Sequence, residues 1–225
     1  MDRQVVQLIA VTAGALLIFV GIWYFQNRRI GGRTKARKAI AEAHGWTYTE
    51  NEEGTLWRYQ GTWHGVAFVA DSQKPRQDLP ASGDIRPNRT WLKARVSDAG
   101  GLLVAPKVLG GVTAGVAARA LAVVAGPAVP ALQQDGFPVL QPEPFSKQFD
   151  VRETEEGTAD RILTDDVRRA LLEQAARKSG ALPMITLYHG ELHVLIGVEL
   201  YNADSVEGFL DRALTVLDTV SGAGS

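Results

Sequence analysis

Cysteine is absent from this chain, which excludes disulfides, thiolate metal sites and a cysteine nucleophile. Charge is absent over a long stretch as well: no Asp, Glu, Lys or Arg lies between Arg3 and Arg28. Acids are missing from the whole region between Asp2 and Glu42. Over the full 225 residues neither sign prevails, the formal net charge being -1, which argues against a general nucleic-acid binder. The Gly-rich run after Lys107 lacks both the glycine spacing of a dinucleotide fingerprint and the Lys-Ser/Thr pair of a phosphate loop. No Gly-x-Ser-x-Gly elbow occurs either. The expectation is therefore of a protein that is not an enzyme, with no catalytic residue, cofactor or metal ligand set.

What is present is strongly ordered along the chain. Val5 to Phe25 is uncharged, with Gln7 and Thr12 its clearly polar members. About 20 apolar residues suffice for a helix to cross the hydrocarbon core, so residues 1–27 are expected to form a transmembrane anchor. Trp23, Tyr24 and Phe25 stand at its far end, where amphipathic rings favour the headgroup level. Arg28, Arg29, Arg33, Lys35, Arg37 and Lys38 follow. These nine residues are the candidate membrane-interface set. A cleaved signal peptide would carry its positive charge before the apolar run, not after it. By the positive-inside bias the basic flank stays in the cytoplasm. The expected placement is thus a single-pass protein of the plasma (inner) membrane, N-terminus outside and C-terminal domain cytoplasmic. Membrane lipids are an expected partner, since each juxtamembrane cation is worth about 1 kcal/mol near an anionic surface.

Residues 28–44 read as a basic juxtamembrane helix, with Thr34 as a plausible N-cap and Gly45 as its stop. From there to residue 221 an α+β cytoplasmic domain is expected, with an Ala/Gly/Pro-rich insert at 106–144. Trp46 and Tyr48 alternate with threonines, "TLWRYQGTWHGVAFVAD" suggests a hairpin broken near Gly61, and "TWLKARV" places Leu92, Ala94 and Val96 on one face. Phe145, Phe149 and Val151 share a face at period two. Thr164 caps a helix carrying Asp165 and Asp166 in its first turn. Asp204 and Glu207 suggest a capping box for a last helix whose stripe runs from Val206 through Phe209, Leu210, Ala213, Leu214 and Leu217 to Val220. This order of elements predicts a largely antiparallel sheet with packed helices.

The stretch from Lys107 to Leu132 is Ala-, Gly- and Val-rich. A second membrane crossing at 108–126 is disfavoured by Arg119. Pro127 and Pro130 confine any helix to the portion before them, with an irregular linker after. His189, Glu191 and His193 in "HGELH" lack zincin spacing, and a hairpin turn at Gly190-Glu191 accounts for them. Trp57, Tyr59, Trp63 and Trp91 near Arg58 could stack bases, but an aromatic sheet core explains them better.

"AEAHGWTYTE" after a basic helix, then "FSKQFDVRETEEGTADRILTDDVRRALLEQ", a hairpin and a closing amphipathic helix together resemble a group of uncharacterised, mostly actinobacterial, membrane-anchored proteins with a soluble domain of unknown function. The resemblance spans most of the chain after the anchor and carries over no catalytic residue. Two functions are expected from these observations. One is a noncatalytic accessory or assembly subunit, its partner an integral membrane protein or complex rather than nucleic acid. The other is a self-standing membrane-anchored binding module for anionic lipid or a soluble partner.

Overall fold

The computed structural model describes residues 31–51, 56–73, 89–97, 100–107, 128–176 and 183–222. Helical residues 31–44 (α1) lead into four strands: β1 (Thr47–Glu50), β2 (Trp57–Trp63), β3 (Val66–Gln73) and β4 (Arg89–Arg95). Next come β5 (Leu102–Pro106), α2 (Ala128–Asp135), β6 (Phe137–Pro138), α3 (Phe145–Gln148) and β7 (Phe149–Glu153). The chain closes with α4 (Thr158–Ile162), α5 (Asp165–Ala176), β8 (Pro183–Tyr188), β9 (Glu191–Ile196) and α6 (Ala203–Ser221).

The nine strands form one sheet in the order β1-β2-β3-β4-β9-β8-β5-β7-β6, every neighbouring pair antiparallel. Two of its hairpins turn on a His-Gly pair. His64 and Gly65 join β2 to β3, and His189 and Gly190 join β8 to β9, all four with positive φ. A two-residue hairpin turn of type I′ has positive φ at both central positions, which matches its twist to that of the strands. The turns therefore fall at His64-Gly65 rather than near Gly61, and one residue earlier than Gly190-Glu191. Gly61 has another use. It lies inside β2, where an added Cβ would run into the indole of Trp46.

Alternation splits the sheet into two faces. On one, Trp57, Tyr59, Phe68, Ala70, Leu92, Ala94, Leu192 and Val194 meet the apolar stripes of α5 and α6 in the main core. In α6 all seven residues of the expected stripe are buried, together with Val216. Apart from Ala213, each contributes about 1.5–3 kcal/mol by leaving water. Phe145, Phe149 and Val151 reach the same core, although Phe145 does so from the short α3. On the other face a smaller core joins Leu103, Ala105, Met184 and Leu195 to Val129 and Leu132 of α2.

No helix among the described residues is long and apolar enough to cross a membrane. The longest, α6, spans 19 residues but carries exposed Asp204, Glu207 and Asp211 opposite its buried stripe. The expected architecture of an α+β domain behind a transmembrane helix is thus corrected to an antiparallel sheet domain with packed helices. The stretch 1–27 on which that helix was expected lies outside the described residues, as does 108–126.

Two local expectations also change. Residues 128–135 are helical rather than an irregular linker, because Pro130 falls in the first turn, where its missing N–H has no intrahelical acceptor to lose. The N-cap of α6 is Asn202, without a side-chain cap bond, and Asp204 sits in the first turn. Thr164 does cap α5, its Oγ1 accepting from the N–H of Val167 at 3.4 Å.

Candidate functional site

Cross-strand register builds the face opposite the main core in rows. One row runs Arg58, Asp71, Trp91, Leu195, Met184 across β2, β3, β4, β9 and β8. The next runs Gln60, Val69, Lys93, His193, Thr186 and on to Leu103 of β5. In a third, Arg95 stands against Glu191, and Glu191 against Tyr188. The α2 helix covers the β5–β8 side of these rows, with Trp91 and Tyr188 at its margin. Among the described residues no helix packs over the β2–β3–β4 side.

The shape of that open side follows from side-chain size. Strand β3 offers Ala67 and Val69, while β4 beside it offers Lys93 and Arg95. The outcome is a shallow trough of about 220 Å³ whose lining includes Ala67, Val69, Lys93, Arg95 and Glu191. Its lining comes from β3, β4 and the first residue of β9, with Lys93, Arg95 and Glu191 supplying the charged side.

Its electrostatics centre on Glu191. Oε2 of this carboxylate lies 3.3 Å from Lys93 Nζ and 3.6 Å from His193 Nε2, and Oε1 lies 3.9 Å from Arg95 Nη2. The Lys93 hydrogen bond holds the Glu191 carboxyl below its usual range; burial opposes it, and the Lys93 charge and His193 add to the lowering. Burial pushes the His193 imidazole down, Lys93 adds to this, and Glu191 opposes it. One carboxylate therefore answers two permanent cations and an imidazole that resists protonation. Further along, Arg58 Nη2 pairs with Asp71 Oδ2 at 2.9 Å. Burial raises Asp71, with Arg58, Arg89 and the neighbouring Trp91 indole opposing. Arg89 lies over the Trp91 ring at 6.0 Å.

The residues singled out in the sequence are distributed as follows. Trp23, Tyr24, Phe25, Arg28 and Arg29 lie outside the described residues. Lys35 and Lys38 are exposed on α1 and Arg33 is half-buried. Arg37 is turned inward and fully buried. Its Nη2 donates to Glu50 Oε1 at 2.9 Å, and Glu50 also accepts from Thr34 Oγ1 at 3.1 Å and Tyr48 OH at 2.6 Å. Tyr59 OH closes the group by donating to the Arg37 carbonyl at 3.0 Å. Burial first, and the Glu50 bond second, push the Tyr48 hydroxyl well above its ordinary value. Thr34 is thus a ligand of this network and not a helix cap. The signal for Arg37 was available: Thr34, Arg37 and Ala41 stand three and four apart, on one helical face.

Of the four aromatic residues near Arg58, Trp57 and Tyr59 are core and Trp91 stands on the opposite face. His44 stacks on Trp46 at 4.3 Å, and His64 Nδ1 meets Asp218 Oδ1 at 2.7 Å. His189 is a turn residue. Of the "HGELH" segment, Glu191 and His193 come together at 3.6 Å, while His189 occupies the turn. Among the described residues no group of three His, Asp or Glu side chains is placed to hold a metal ion. Nothing in the sequence marks the trough, because Glu191 on β9 is brought to Lys93 and Arg95 on β4 only by strand pairing.

No protein-family model matches the chain, and no curated protein matches it. Among solved structures, the crystal structure of the mycobacterial trehalose monomycolate transport factor A, TtfA, superposes with a TM-score of 0.47 at 14% identity, covering 85% of this chain and 94% of that one. A score at that level says nothing of shared function.

Proposed function

We propose that this chain is a noncatalytic accessory or assembly module of a bacterial inner-membrane complex, its α+β domain working on the cytoplasmic side. The observation that carries the reading is the open β2–β3–β4 side of the sheet, a cation-walled trough with no described helix upon it. Ionic groups at the trough are already held by one another, with Glu191 shared by Lys93, Arg95 and His193. Such an arrangement suits recognition better than proton transfer, which needs a group poised to change its protonation state. The membrane placement rests on the sequence: an uncharged stretch from Val5 to Phe25 followed by the cations Arg28 to Lys38.

A second reading is a self-standing module that binds anionic lipid through the basic flank. The exposed Lys35 and Lys38 favour it. The buried Arg37 weakens it, since one of the six cations is consumed inside the fold.

Affinity isolation of the full-length chain from native membranes in mild detergent tests the two against each other. A stoichiometric membrane-protein companion is the expected result. A chain that comes out alone, and whose membrane retention is lost when Lys35 and Lys38 are neutralised, would overturn the first reading for the second.

A further inference from the structure

We infer that the trough along β3 receives an extended segment of a partner protein that carries acidic residues at alternate positions. The inference rests on the reading of this face as a docking surface and adds the chemistry of what docks there.

Three features lead to that occupant. The first is shape. The trough runs along the single strand β3 with the charged side chains of β4 and β9 beside it, which suits one extended chain, whereas a flat bilayer surface meets the raised side and not the floor. The floor offers Ala67 and Val69, small apolar groups against which such a chain can lie. The second is charge. Lys93, Arg95 and His193 share the single carboxylate of Glu191. Lys93 and Arg95 keep 39% and 87% of their side-chain surface exposed, so both can turn to an incoming anion without unfolding anything. The third is spacing. Lys93 and Arg95 are two residues apart on one strand and point to the same side, about 6.5–7 Å from one another. Carboxylates at positions i and i+2 of an extended chain repeat at that distance. A helical segment would present its acids at i and i+4 instead. Complementary charge of this kind fixes register and speeds encounter more than it adds affinity.

The test uses the full-length chain in mild detergent and a fluorescein-labelled decapeptide alternating Glu with Val, its Gln-Val counterpart serving as control. Fluorescence anisotropy should show the Glu peptide binding at least tenfold tighter than the Gln peptide, with most of that margin lost in 0.5 M salt. Lys93→Glu with Arg95→Glu should reduce binding at least tenfold. Both side chains are solvent-facing, so near-ultraviolet circular dichroism should be unchanged. Val69→Trp, which fills the floor without altering charge, should weaken binding to a similar degree. Glu191→Gln removes the competing carboxylate and should tighten binding three- to tenfold.

Equal binding of the two peptides, or insensitivity to both the charge reversal and Val69→Trp, would overturn the inference. So would short-chain phosphatidylglycerol binding in a Lys93- and Arg95-dependent manner and displacing the peptide, since the trough would then be a lipid-headgroup site. The docking reading fails separately. If a membrane protein still co-purifies with the charge-reversed chain, that reading stands and only the trough assignment falls.

Discussion

Arg37 and Glu50 form a pair inside the fold, Nη2 to Oε1 at 2.9 Å, with 1% and 9% of their side chains exposed. The contact ties α1 to the edge strand β1. It makes the end of the basic segment part of the domain instead of a free tether. Burying two charges is costly unless their remaining hydrogen-bonding positions are filled, and here Thr34 and Tyr48 supply donors to the carboxylate.

Removing one partner should therefore cost more than removing both. Glu50→Ala is expected to destabilise the chain by about 3–5 kcal/mol, since an arginine is left buried without its counter-charge. The double variant Arg37→Met, Glu50→Met should lose less than Glu50→Ala alone. Thermal unfolding followed by near-ultraviolet circular dichroism reads the difference. A double variant that loses as much as Glu50→Ala, or more, would overturn the idea that the unpaired buried arginine is what makes the single change costly.

Gly61 is required by the ring beside it. A Cβ at that position would meet Cδ1 and Cγ of Trp46, whose indole packs edge-on against Phe68 at 5.0 Å and Tyr59 at 6.4 Å. Gly61→Ala should cost about 1–3 kcal/mol through overpacking. Tryptophan emission should shift as the ring is displaced. An unshifted spectrum and unchanged melting temperature would show that the ring yields freely.

The connection from β9 to α6 hangs on two side chains of other strands. Trp57 Nε1 donates to the Leu200 carbonyl at 2.8 Å. Thr90 Oγ1 donates to the Val198 carbonyl at 2.9 Å and accepts from the Leu200 N–H at 3.3 Å. Thr90→Val, close in shape but unable to bond, leaves buried backbone groups unpaired and should cost about 1–3 kcal/mol. Amide exchange at Leu200 should quicken correspondingly, and protection equal to wild type would contradict this role.

His193 makes stability depend on pH. Burial and Lys93 hold its folded-state pKa below 6.5, so the unfolded chain takes up a proton first as pH falls. Stability contributed by the neutral imidazole is present above that value and declines as pH drops below it. His193→Gln should flatten the stability profile in that window and leave its neutral-pH end little changed. Urea titrations at successive pH values measure the slope, and an identical slope in both proteins would remove His193 as its source.

Much of the chain's local structure could be read without coordinates. The Val206 to Val220 stripe, the Thr164 cap, the Gly45 stop and the alternation of Leu92 with Ala94 all survive in the fold. Each depends on a period of two or of 3.6 along a few consecutive residues, and that period is a property of the backbone alone. Turn positions were less legible: the turns were expected near Gly61 and at Gly190-Glu191, whereas in both hairpins a histidine takes positive φ just before a glycine.

The functional candidate belongs to the other kind of information. Lys93 meets Glu191 and His193 because β4 pairs with β9, roughly a hundred residues further along the chain. Trp91 parts from Trp57 and Tyr59 because their register positions on β4 and β2 point to opposite faces of the sheet. The trough exists because β3, with its small side chains, lies next to β4, with its long ones. The sequence by itself determined which segments are helix or strand and which of their residues seek the core. Only the tertiary structure decided which strands are neighbours, and with that which charges stand together, since pairing is set by contacts distant in the chain while periodicity is set by contacts along it.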